Sequence, residues 1–361
     1  MFASLAADYP REPRAGEPDR LGAADRQLAD DAIGAEDHLA VMREVVKVVV
    51  DEQELSGLGM LCHGDVAHAD RLGPLVDGLG GTSSGHSVRL PDGAEVRAPH
   101  FDAPARWHAP ITVEAWRWAD HCTDQLVKQV LIGPYTLARL AEPGPTSRES
   151  LALALAEALN LELRALVEAD CPYIQIDEGA LTAIGDDDEE WRLYAETERR
   201  LTAGLEARHL SLGLYRGAVH PAGHESIFAG AYRSYLVDAF GGPDAWRFVM
   251  AVPPERGIVV GALDAANPLR DDPELMVWAM AWAGHADRIT DRIGISANGS
   301  LRSIGRHAAR RKIEQMGEAV GIARMGPLQE VAEALDPDPL HSRMAHLRAM
   351  AEAVESARAP R

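Results

Sequence analysis

Eight short apolar runs, each closed by turn residues, punctuate the sequence. They are FASLAA at 2–7, GLGMLC at 57–62, QVLIG at 129–133, PYIQI at 172–176, LSLGLY at 210–215, RFVMAV at 247–252, GIVVGAL at 257–263 and RIGIS at 292–296. Between them lie longer stretches with a helical period: 36–54, 148–168, 187–207, 271–284 and 303–320. Two more helical stretches close the chain, at 327–334 and 341–357, the second with Ser342 as a cap candidate. Continuous apolar strands alternating with amphipathic helices are the mark of a parallel sheet buried on both faces. Eight such units predict an α/β fold, a single (β/α)8 TIM barrel over residues 1–361.

Two places disturb the alternation. Residues 66–128 are too long for one βα connection and contain HSVRLPDGAEVRAP, a hairpin signal around a Pro-Asp-Gly turn. We read them as an inserted hairpin and helical segment between the second and third strands, lying over the barrel mouth. The runs at 247–252 and 257–263 are separated by four residues, too few for a helix, so SYLVD at 234–238 competes as the sixth strand.

A barrel does its chemistry where its strands end. Those ends carry Asp8, His63 and Asp65, Tyr135, Asp177 and Glu178, Tyr215 and Arg216, Asp264, and Asn298. Adjacent acids directly after a buried strand are costly unless paired or working, so Asp177 and Glu178 form the expected centre. Their plainer alternative is a helix N-terminus, where acids favour the dipole. Asp8, Arg216 and Asn298 join them as substrate-binding candidates, Arg216 as a carboxylate or phosphate clamp. Asp65, Tyr135 and Tyr215 are the candidates for proton transfer. For each of these the competing reading is an ordinary loop acid, a salt bridge or a packed aromatic. His63, His68, His108 and His220 are weaker candidates. His220 and His224 have i,i+4 spacing but no HExxH motif, which leaves them a surface pair.

Composition narrows the partners. A net charge of −20 argues against phosphate-rich nucleic acid and anionic membrane surfaces. No apolar run is long enough to span a bilayer, and no basic region precedes an apolar one at the N-terminus. A cytoplasmic protein with a small-molecule substrate is expected, with homo-oligomerisation left open. The three cysteines, Cys62, Cys122 and Cys171, form no CxxC pair.

These strand ends resemble a known family. IQIDEGAL at 174–181 resembles the IQIDEPAL signature of the cobalamin-independent methionine synthases. LIGPYTLARL at 131–140, GMLCHGD at 59–65 and DYPREP at 8–13 are similar to further motifs of that family, in the same order. RHAARRKIEQM at 306–316 is similar to its closing helix, with Lys312. The resemblance implies a (β/α)8 barrel with room here for one catalytic barrel, and an acidic pair that faces a substrate's amino group. It also implies a zinc ion that keeps a substrate thiol nucleophilic as its thiolate. The expected ligands are missing. Their positions hold Gly213, Tyr215, Gly299 and, on the SYLVD alignment, Val237. The resulting expectation is a methionine-synthase-like enzyme of altered chemistry (a lyase, decarboxylase or non-thiol one-carbon transfer) on an amino-acid-like or amine substrate. No cofactor is predicted. Zinc held elsewhere, or another divalent metal among Asp8, His63, Asp65 and Asp177, stays open. So do two alternatives, a zinc-dependent S-methyltransferase with a rearranged site and a non-catalytic binding homologue.

Overall fold

The computed structural model describes residues 1–335 apart from 12, 14, 15, 17, 69, 91–94, 143 and 286. Its strands are β1 (Phe2–Ala3), β2 (Met60–Leu61), β3 (Leu79–Arg89), β4 (Glu95–Trp107) and β5 (Leu126–Ile132). They continue with β6 (Tyr173–Asp177), β7 (Leu210–Leu214), β8 (Ser234–Asp238), β9 (Gly257–Leu263) and β10 (Ile293–Ala297). Eight of them form one parallel sheet in the order β1-β10-β9-β8-β7-β6-β5-β2. A parallel bridge between Ser4 and Met60 joins its two ends. The sheet is thereby a nearly closed barrel with helices between its strands.

Strand alternation divides the core in two. On β6, Ile174 and Ile176 face the helices and belong to the main apolar core, while the Gln175 and Asp177 side chains meet Tyr215 inside the barrel. A small separate cluster of Ala6, Tyr215, Leu236 and Val259 packs the interior. The helix predicted at 148–168 spans Arg148–Glu168, with Ser147 capping Ser150 N as its position before the apolar run suggests.

One expected strand is a helix. RFVMAV falls within the helix Pro243–Ala251, and SYLVD is the sixth barrel strand, β8. Gly242 and Pro243 start that helix. Ala245, Phe248, Val249 and Val252 are its buried positions, a helical spacing that a plain apolar count misses. The short gap before β9 is therefore a helix-to-strand loop.

The long connection between β2 and β5 holds a helix at Gly73–Gly78, the antiparallel pair β3–β4 and a helix at Val113–Asp120. The Pro91-Asp92-Gly93 turn and the 341–357 stretch with Ser342 lie outside the described residues. Buried Glu162, on the Arg148–Glu168 helix, ties down the exit from β4. Its carboxylate accepts from Trp107 Nε1, Ile111 N, Thr112 N and Thr112 Oγ1, each at 2.8 Å.

Candidate active site

The strand ends converge on Asp177, but they do not present Asp177 and Glu178 as one acidic pair. Neighbouring residues on a strand diverge. Asp177 points into the barrel. Glu178 turns to the helix Pro134–Leu140, where its carboxylate accepts from Tyr135 N (3.1 Å) and Thr136 N (2.7 Å). A Cβ on Gly133 would overlap the Glu178 carboxyl, so glycine is needed for this approach. The plainer reading of an acid at a helix N-terminus holds for Glu178.

Burial pushes the Glu178 carboxyl up to about 7, against the opposing pull of those hydrogen bonds. A folded-state value above the ordinary 4.5 means the native protein binds the extra proton between the two. Stability from this group is full below pH 4.5 and is lost as pH rises towards 7. The predicted loss is about 3 kcal/mol across that window. Urea unfolding of wild type and Glu178→Gln at several pH values checks it: the difference between the two must narrow as pH falls, and a parallel pair of curves refutes it.

Asp177 is buried and fully engaged. Arg71, from the long β2–β5 connection, pairs with Oδ2. Gln175 Nε2 donates to Oδ1 at 2.8 Å, and the Tyr215 hydroxyl lies 3.0 Å from Oδ1 and from the Ala6 carbonyl. Below it, Lys128 Nζ donates to Gln175 Oε1 at 2.6 Å and to Leu5 O at 2.5 Å. Burial lowers the Lys128 ammonium to about 8. A polar chain thus runs from Lys128 through Gln175 to Asp177, Tyr215 and Arg71 inside the barrel.

The other candidates gather around this chain unevenly. Arg71 Nε lies 3.6 Å from Asp65 Oδ2. Asp65 N donates to His63 Nδ1 at 3.1 Å, and His63 Nε2 lies 3.0 Å from Gln129 Oε1. Gln129 Nε2 donates to Val130 O, which fixes that amide. His63 is thus held between Asp65 and Gln129. Asp8 is buried 3.6 Å from Arg302 Nη1, while Arg302 Nη2 donates to the carbonyls of Asp65 (3.1 Å) and His68 (2.6 Å). Asp65 and Arg216 are both non-glycine strand-end residues with positive φ, 50° and 55°. Such backbone is uncommon and costs about 1–3 kcal/mol.

Three candidates sit differently from expectation. The Tyr135 hydroxyl donates to Glu190 at 2.5 Å and accepts from Arg139 at 3.2 Å, so it serves the helical layer and not Asp177. Asn298 spends its amide on structure, donating to Asp238 Oδ1 (3.1 Å) and accepting from Ala265 N (2.9 Å). Arg216 is exposed, and its charge acts on Asp238, whose carboxyl burial pushes up. Lys312 pairs with Asp271 beyond β9. His224 packs against Phe228 and Phe248 and is no plain surface residue.

Sequence reasoning missed Arg71, Gln175, Lys128, Asp238 and Arg302. Asp238 was open to discovery as the last residue of SYLVD, and Gln175 as the inward neighbour of Asp177. No spacing marks Arg71, because the fold of the β2–β5 connection alone brings it to Asp177.

The ligand positions expected for zinc do not fit a zinc ion. A Cβ on Gly213 would overlap Asp177 Oδ1 and lie 3.1 Å from the Tyr215 ring, so the space for a ligand there is filled. Val237 faces the helical core, and Leu236 and Asp238 are the inward residues of β8. Burial pushes the Cys62 thiol up to about 11, away from thiolate. Among the described residues no group of three or more His, Cys, Asp or Glu is placed to hold a metal.

Two small cavities flank Arg71, of about 20 Å³ and 10 Å³. A cavity of about 380 Å³ opens at the opposite end beside Phe2, Met60, Leu126 and Tyr173, where the strands begin. That is the end where barrels carry stability and not chemistry.

Comparison with known proteins agrees with the strand-end motifs. The family described as "Cobalamin-independent synthase, Catalytic domain" matches residues 17–208. The 5-methyltetrahydropteroyltriglutamate–homocysteine methyltransferase of Corynebacterium glutamicum is 32% identical over 169 residues, 45% of this chain and 22% of that protein. This chain thus matches less than a quarter of that relative's length. A B12-independent methionine synthase from Shewanella sp. W3-18-1, solved in complex with selenomethionine, superposes with a TM-score of 0.73 at 17% identity. The match covers 90% of this chain and 98% of the other. A putative vitamin-B12 independent methionine synthase from Listeria monocytogenes gives 0.69 at 15% identity, over 89% and 98%. At those identities the structures speak for the fold alone. With more than half of its length matched by the family, the chain belongs to the cobalamin-independent methionine synthase family, as a member of its catalytic-domain barrel.

Proposed function

We propose that this barrel is a family enzyme that works without the thiolate-activating zinc and takes a small amino-acid-like substrate at Asp177. The observation that carries the reading is the refilled space at Gly213, which Asp177 and the Tyr215 hydroxyl occupy together. Asp177 supplies an anion for an amino group. The Tyr215 hydroxyl, held against that carboxylate, supplies an acid at a stated place. His63, held by Gln129, and Asp65 offer a second proton-transfer pair beside it. These groups suit reactions that need a held amine and a movable proton: a lyase, a decarboxylase or a one-carbon transfer to an atom other than sulfur.

The two cavities beside Arg71, about 20 Å³ and 10 Å³, are far smaller than the about 300–1,000 Å³ of a small-molecule site, so a ligand at Asp177 needs side chains there to move. Their small size favours one second reading, a non-catalytic homologue. Melting of chelator-treated protein with a panel of L-amino acids, including L-methionine and L-homocysteine, separates the two. A ligand at a hundredfold excess over its Kd stabilises the fold by about 2.7 kcal/mol. A shift with at least one amino acid, abolished in Asp177→Asn, is expected. No shift with any of them contradicts the enzyme reading and leaves the homologue.

A further inference from the structure

We infer that the end of the barrel where the strands begin binds an aromatic carboxylate: the ring lies in the well beside Tyr173 and His209, and the carboxylate pairs with Arg233. Asp177 and the strand ends take no part, so this site stands or falls independently of the function proposed above. Barrels carry their chemistry at the other end, so what is bound here is held and not converted.

The starts of the strands build the well. Its volume, about 380 Å³, falls within the range of small-molecule sites, about 300–1,000 Å³. Phe2, Met60 and Leu126 head β1, β2 and β5, and Ile258 and Val259 of β9 complete the apolar wall. Phe2 and Leu126 keep part of their surface in water, Leu126 40% of it. A ring seated between them removes that apolar surface from water, which favours binding.

Tyr173 and His209 form the aromatic side of the well. Their rings are stacked, with 4.3 Å between centroids and 24° between planes. Ser234 Oγ fixes both: it lies 2.8 Å from the Tyr173 hydroxyl and 3.0 Å from His209 Nε2. This face is set before a ligand arrives, which lowers the cost of ordering it. Burial, and then the charge of Arg233, hold the His209 imidazole down to about 4, so the wall is uncharged in neutral solution. Arg233 supplies the charge. Its Nε donates to Arg208 O and its Nη2 to Glu206 O, each at 3.0 Å. Among the described residues no carboxylate pairs with it, although 56 acids stand against 36 Lys and Arg in the chain. Glu255 and Asp291 share the rim, but Asp291 lies 3.8 Å from the N-terminal ammonium, and the charge that acts on His209 is that of Arg233. A guanidinium held by carbonyls beside an uncharged aromatic wall complements a ring that bears a carboxylate. A ring that bears an ammonium would meet Arg233 as a like charge.

The test is calorimetric titration with two probes of similar shape, naphthoate and naphthylmethylamine. Wild type is expected to bind naphthoate with a Kd below about 1 mM and to prefer it over the amine by about fivefold or more. Leu126→Trp narrows the well from its lip and is expected to weaken naphthoate binding by about tenfold or more. Arg233→Gln is expected to keep ring binding but to bring the two probes within about twofold of each other. Both positions are exposed, so both variants are expected to fold, and circular dichroism checks this. No wild-type binding of naphthoate up to about 1 mM overturns the inference, as does a preference for the amine or for neither probe. Unchanged naphthoate affinity in Leu126→Trp puts the ligand elsewhere and overturns it too. An undiminished preference for naphthoate in Arg233→Gln removes Arg233 from the site, with the same result.

Discussion

Replacing Arg71 with methionine is expected to remove about 3–5 kcal/mol of stability. Both partners are buried, with side chains 3% and 4% exposed, so water screens the pair little. Removing the guanidinium takes away the arginine partner of the Asp177 carboxylate, while the neutral donors Gln175 and Tyr215 stay at its oxygens. The cost is that of a stranded charge, not of one lost contact. It follows that Asp177→Asn in the same background should restore much of the loss, because the carboxylate that needed compensation is gone. A double-mutant cycle by urea unfolding measures this as a coupling of more than about 1 kcal/mol. A loss below about 1 kcal/mol for Arg71→Met would place the pair among solvent-screened surface bridges and refute its burial.

The second large effect is expected at Gly213. Even alanine there must push its methyl into the Asp177 carboxylate and against the Tyr215 ring, both held by hydrogen bonds. Overpacking of this kind costs about 1–3 kcal/mol, and more where the neighbours cannot yield. Gly213→His, which places a possible zinc ligand at this position, should be worse than Gly213→Ala. It should gain no zinc, since Tyr215 and Gly299 offer no thiolate and Asp177 fills the space. A Gly213→His protein that takes up zinc and becomes more stable would contradict the refilled pocket.

Much of this was written in the pattern of apolar runs. Alternating strands and helices gave the barrel because parallel strands buried on both faces leave continuous apolar segments. IQIDE pointed to the candidate site because an acid at the end of such a strand has few innocent explanations. The failures have physical causes. RFVMAV is apolar enough for a strand, but its buried positions have a helical period. Asp177 and Glu178 looked like one anchor, though period-two geometry alone sends them to different sides; Val237 faces outward for the same reason. Arg71 and Lys128 were hidden more deeply. A buried cation is visible only when the fold shows which acid or carbonyl receives it, and Arg71 reaches its acid across 106 residues of sequence.

Metal analysis tests the proposed absence of a thiolate-activating zinc directly. Zinc should be measured by mass spectrometry in protein purified without chelator, and again after zinc loading and dialysis. The prediction is far less than one zinc per chain in both samples, with unchanged melting on chelator addition. One zinc per chain that survives dialysis, with a fall in melting temperature when it is stripped, would contradict it.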